Sequence, residues 1–155
     1  MKRTNLRLAL SVTMVTCLVI FIWGNSLLPG RISGAFSDWV RDLLLRLLGR
    51  DPDEMHTGHG LLRKIAHFTE FTCLGMSLFW LLSMLRKKFH IPFLCGFLVA
   101  CTDEIIQCFI PDRGPAVKDV LIDTAGVAVG IGILLAVTAI KTKIKNNQYL
   151  EETKL

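Results

Sequence analysis

Three features of this 155-residue sequence predict an all-α membrane protein, with four transmembrane helices and an interfacial amphipathic helix between the first two. Hydrophobic residues make up 52% of the chain and charged ones only 20%, more apolar surface than one domain of this size can hide from water. Four apolar runs approach the length of a membrane span. Between the first two runs, apolar residues recur at helical spacing instead of continuously.

The first run, Leu8 to Trp23, is broken only by Ser11, Thr13 and Thr16 and follows Lys2, Arg3 and Arg7. A basic start before an apolar stretch also marks signal peptides, but Gly24 to Gly30 offers no A-x-A cleavage site, so an uncleaved span is expected. Phe36, Trp39, Val40, Leu43, Leu44, Leu47 and Leu48 then share one helical face, with Asp38, Arg41, Asp42, Arg46 and Arg50 opposite. Ser33 or Ser37 would cap this helix and Gly49 would end it. It is too charged to span. It either lies in the interface, with Phe36 and Trp39 at acyl depth, or packs over the spans. Asp51 to Gly60 reads as a polar turn; Asp51, Asp53, Glu54, His56 and His59 are metal-capable types, but a solvated loop is the simpler reading.

The second span is expected over Ile65 to Leu85 and ends at the basic turn Arg86-Lys87-Lys88. Pro92 opens the third, Ile91 to Ile110, at a position where a missing N–H costs little. The stretch from Pro111 to Pro115 closes it. The fourth, Val120 to Ile140, carries Gly126 and Gly130 at the spacing that lets helices approach closely, within the chain or in a dimer. Lys141, Lys143 and Lys145 end it. The membrane domain is taken as residues 1–145, with a polar tail over 146–155 that is expected to fray.

The net charge of +5 sits in short runs beside apolar segments, the pattern of juxtamembrane anchors. No basic stripe is interleaved with aromatics, so nucleic acid is set aside. Lys2, Arg3, Arg7, the Arg86–Lys88 run and Lys141, Lys143 and Lys145 fall on one side, the denser in charge, which predicts cytoplasmic termini in a multi-pass cell-membrane protein. Cys17, Cys73, Cys95, Cys101 and Cys108 all lie in apolar runs without a CxxC pair, and read as small buried hydrophobes.

What organises the chain is a set of ionisable groups inside the apolar runs, where each charge costs about 2.5–3.5 kcal/mol on insertion scales. At 1.5 Å per residue, Glu70 lies about 8 Å, Asp103 about 10 Å and Asp123 about 5 Å inside the outer ends of their spans. Independent charges have no reason to share a depth, so one outward-opening polar cavity is expected. His67 and Glu70 share a helix face at i, i+3; Asp103 and Gln107, and Asp119 and Asp123, do so at i, i+4. Arg63, Lys64 and Arg113 stand at the rim.

Four readings of this cluster stay open. His67, Glu70, Asp103, Glu104, Gln107 and Asp123 would serve acid–base catalysis. Asp103, Glu104 and Asp123 would hold a divalent cation, the one cofactor the residues suggest. Arg63, Lys64, Arg113 and Asp119 would bind a substrate, the cations gripping an anionic headgroup. Lastly, the whole set would be glue that holds the helices in register. A proton-coupled transporter is a further reading, though four spans leave little room for a pathway without oligomerisation. No Ser-His-Asp spacing, phosphate-binding glycine loop or HExxH appears, so no named reaction is signalled.

Two blocks carry a resemblance. Lys64-Ile65-Ala66-His67-Phe68-Thr69-Glu70-Phe71-Thr72-Cys73-Leu74-Gly75, after Arg63, is similar to the pattern K-x-x-H-F-x-E-[YF]-x-x-L-G. Asp103-Glu104-Ile105-Ile106-Gln107 through Pro111-Asp112-Arg113, then Asp119, Asp123 and Gly126, is similar to D-E-x-x-Q-x-[FY]-x-P-x-R…D-x-x-x-[ND]-x-x-G. Across residues 61–130 the chain thus resembles the VanZ-like family of small bacterial membrane proteins. Phe71 departs from the commoner tyrosine and removes a hydroxyl. The outward polar site suggests membrane lipids or a lipid-linked envelope intermediate as partners, and the resemblance implies an envelope protein associated with resistance to teicoplanin-type glycopeptides. It implies no particular reaction.

Overall fold

The computed structural model describes residues 2–51 and 60–152, which form five helices and no strand. His56, His59, Asp53 and Glu54 lie outside the described residues. The helices are α1 (Lys2–Ser26), α2 (Gly30–Leu47), α3 (Leu61–Met84), α4 (His90–Gln107) and α5 (Val117–Glu152).

Three of them are long and apolar enough to cross a membrane: Thr4–Ser26, Leu61–Met84 and Val117–Gln148, with mean hydropathies of 2.1, 1.3 and 2.3. Large apolar side chains point away from the protein on each, among them Leu10, Ile20, Trp80, Leu121 and Ile133. A water-soluble fold would bury such a surface.

Helix α4 is the shortest of the apolar runs at 18 residues, about 27 Å, and is not one of these three. It stops at Gln107, short of the expected Ile110. Beyond Gln107 the chain tightens into i→i−3 turns, Phe109 N–H to Ile106 and Ile110 N–H to Gln107, and Pro111 then disfavours helical conformation at Ile110. Its acidic and amide groups, Asp103, Glu104 and Gln107, are all buried.

Helix α3 is the centre, packed against α5, α1, α4 and α2. The core joins Ile22 of α1, Phe71, Leu74 and Leu78 of α3, Ala100 of α4, and Val127 and Ile131 of α5. Glycine sets the closest approach. A Cβ at Gly126 would lie 2.6 Å from the Phe68 carbonyl oxygen, and one at Gly130 or Gly75 would run into the backbone of Thr72 or Val127. The Gly126/Gly130 spacing therefore serves packing between α3 and α5 within the chain.

Helix α2 begins earlier than expected, with Pro29 as its N-cap, and neither Ser33 nor Ser37 caps it. Both serines lie inside the helix, where the Ser37 hydroxyl donates to the Ser33 carbonyl at 2.9 Å. Its end is as expected: Gly49 takes φ +70°, its N–H reaches the Arg46 carbonyl, and that of Arg50 reaches Leu45. No residue of α2 is buried, and Phe36, Trp39, Leu47 and Leu48 of its apolar face are all exposed. Phe36 and Trp39 stack at 6.0 Å with both rings exposed.

Two further expectations are corrected. α5 runs through Lys141, Lys143 and Lys145 to Glu152 instead of fraying from residue 146. Lysine is a good helix former, so charge ends the apolar stretch without ending the helix. The cysteines are free but not fully buried: Cys17 and Cys108 are exposed and the other three partly so. A small apolar side chain on a lipid-type surface needs no interior.

Candidate functional site

The polar groups gather at one end of the bundle, where α1 ends, α3 and α5 begin, and α4 ends. Alternating helix directions produce this meeting, because groups early in one helix face groups late in its neighbour. Asp103 is completely buried. Its Oδ2 accepts from the Ser26 hydroxyl at 2.7 Å and from Gln107 Nε2 at 2.8 Å. Gln107 Oε1 in turn accepts from Arg63 Nη2 at 2.8 Å. This chain of bonds ties α1, α4 and α3 together, and the i, i+4 spacing of Asp103 and Gln107 makes its central link.

Next to it the bonding stops. Asp123 is 1% exposed, yet neither carboxylate oxygen has a hydrogen-bond partner, and Asp103 Oδ1 has none either. His67 Nδ1 stands 3.9 Å from Asp123 Oδ1, too far for a hydrogen bond. One ligand-type atom from each of His67, Asp103 and Asp123 falls within 4.8 Å of the others. Glu70 bonds Asn25 Nδ2 through Oε1 at 3.2 Å, while its Oε2 is unpartnered.

The remaining expected residues have other places. Glu104 lines the small cavity beside His67 and Asp123, and its Oε2 accepts from the Ala116 backbone N–H at 2.8 Å, at the start of α5, where a carboxylate suits the helix dipole. The residues whose ligand-type atoms converge are His67, Asp103 and Asp123, where the sequence suggested Asp103, Glu104 and Asp123. Asp119 and Lys64 line a small cavity of about 120 Å³ with Arg63, His67, Gln107 and Asp123. Arg113 donates through Nη2 to the Asn25 carbonyl at 3.1 Å, while its Nε and Nη1 are unpartnered. Burial, and next the nearby Arg63 charge, push the Arg113 guanidinium below its ordinary range, against the pull of Asp103 and Glu104. Arginine stays charged even so.

A second, larger cleft of about 410 Å³ shares Arg63 and His67 with the small cavity. It is lined by polar groups, among them Asn25, Arg63, His67, Glu70 and Arg113, and by the apolar side chains of Phe21, Leu28, Ile32 and Phe36. The loop after α4 holds the start of α2 in place. Gly30 N–H donates to the Pro111 carbonyl at 3.1 Å, and Arg31 Nε meets Asp112 Oδ2 at 2.9 Å.

Asn25 and Ser26 were not among the expected site residues. The available signal was two adjacent polar residues at the C-terminal end of the first apolar run. A family model described as VanZ/LLP1 matches residues 11–139. No curated protein and no solved structure matches the chain.

Proposed function

The chain belongs to the VanZ/LLP1 family, and from that premise we propose that it is a four-span protein of the bacterial cell envelope that binds an anionic envelope lipid or lipid-linked intermediate. The observation that carries this reading is the mixed lining of the larger cleft. The apolar side chains of Phe21, Leu28, Ile32 and Phe36 line it together with the cations Arg63 and Arg113, the combination an amphiphile with a negative headgroup requires.

Helix α4 serves as the fourth span. Phe93, Leu94, Phe97 and Leu98 point outward, and the acids that dilute its hydropathy are turned into the protein. The termini are cytoplasmic by the distribution of Lys and Arg, so the polar end faces outward. There α2 lies in the interface with Phe36 and Trp39 at headgroup depth, and its apolar face continues the wall of the cleft. Resistance to teicoplanin-type glycopeptides follows by resemblance, through lipid bound or modified at this site. His67, Glu70, Asp103, Gln107 and Asp123 are its reactive or orienting groups, and Arg63, Lys64, Arg113 and Asp119 its binding groups.

Native mass spectrometry of the chain released from membranes tests this. An anionic lipid adduct is expected on the wild-type chain and lost in Arg113→Gln. A wild-type chain that carries no anionic lipid, or an equally loaded Arg113→Gln chain, refutes the reading.

A further inference from the structure

The geometry points to a divalent metal site of the zinc or manganese class, held by His67, Asp103 and Asp123. Each offers one ligand atom, and the three lie within 4.8 Å of one another. A bond of about 2.0–2.2 Å to a shared ion separates ligand atoms by about 3–4 Å. The 3.9 Å between His67 Nδ1 and Asp123 Oδ1, too long for a hydrogen bond, falls in that range.

The bonding around the aspartates is the second, independent observation. Asp103 has one oxygen saturated and the other free: Oδ2 accepts from Ser26 and Gln107, and Oδ1 has no partner. That is how a carboxylate ligating through a single oxygen is oriented by its neighbours. Gln107 is itself held by Arg63, so the orientation is fixed over three links. Asp123 goes further. It is 1% exposed and both oxygens lack a donor. Arg63 and Arg113 also face this region, but neither reaches those three free oxygens.

One imidazole and two carboxylates suit a borderline first-row ion better than magnesium or calcium, which prefer oxygen alone. Three protein ligands leave a coordination position open. His67 and Asp123 both line the small cavity, so that position opens to water or to an anionic oxygen. Glu104 also lines this cavity, but it gives Oε2 to the Ala116 N–H and stands outside the group of three.

The full chain, delipidated in detergent and stripped with a chelator, is titrated with Zn²⁺ and separately with Mn²⁺, and the retained ion is counted by elemental mass spectrometry. About one ion per chain is expected for one of the two metals, bound through three protein ligands. Asp123→Asn should weaken binding at least about 10-fold, and Ser26→Ala, which removes only a positioning hydroxyl, about 10-fold. A double variant His56→Ala/His59→Ala should bind as the wild type does. Helical circular dichroism and a single chromatographic peak certify each variant as folded. Should Asp123→Asn fail that check, Ser26→Ala decides alone. A wild-type chain that holds neither metal overturns the site, as do folded Asp123→Asn or Ser26→Ala chains that bind undiminished. Binding lost only in the double histidine variant overturns it too. Because no lipid is present in the titration, these outcomes stand apart from the lipid-binding reading.

Discussion

The interface between α3 and α5 changes character within two turns of helix. Toward the middle of the bundle it is a seam in which Gly75, Gly126 and Gly130 bring backbone onto backbone beside Val127 and Phe71. One turn before Gly126 it becomes the polar layer, where His67 faces Asp123 with unpartnered oxygens between them. The seam is held by backbone contact. The layer is bonded only in part: Asp103 Oδ2 and Gln107 have partners, while Asp103 Oδ1 and both Asp123 oxygens have none. The difference teaches that close packing, not hydrogen bonding, holds Asp123 where it is. Stability and function are therefore separable along one pair of helices.

Substitution in the seam should have the largest effect on folding. Gly130→Val drives a side chain into the Thr72 backbone, and overpacking of this kind costs about 1–3 kcal/mol or more when the neighbour cannot give. Gly132 has open space around it, so Gly132→Val is the matched control. Thermal unfolding in detergent should show Gly130→Val strongly lowered and Gly132→Val near wild type. Equal loss in both would remove the seam from the account.

The layer sharpens the contrast through its two aspartates. Asp103→Ala strands the Ser26 hydroxyl and the Gln107 amide and should cost about 2 kcal/mol. Asp123→Asn removes a buried charge that has no hydrogen-bond donor, so stability should hold or rise. Antibiotic susceptibility in cells should nonetheless show lost function in both. A stable Asp123→Asn chain with full resistance would reduce the layer to helix glue.

The smallest effect belongs to Glu104, which serves the start of α5. Glu104→Ala should cost about 1 kcal/mol, the typical worth of a helix-start acceptor, visible as a modest fall in unfolding temperature. A collapse as large as that of Gly130→Val would mean that Glu104 does more than serve the start of α5.

The sequence by itself determined the helical class, the apolar runs, the amphipathic face from Phe36 to Leu48 and the end of α2 at Gly49. Each depends on a residue's own neighbours in the chain, which periodicity and capping rules read directly. It also brought His67, Glu70, Asp103 and Asp123 to one depth, because depth is a count of residues from a helix end. The tertiary structure decided the rest. That Ser26 and Asn25 complete the layer, that Glu104 gives an oxygen to the start of α5, and that His67 joins Asp103 and Asp123 depend on how closely helices approach and on which face meets which. Two acids adjacent in sequence, Asp103 and Glu104, point about 100° apart around their helix axis, and only the position of α5 determined what each would meet.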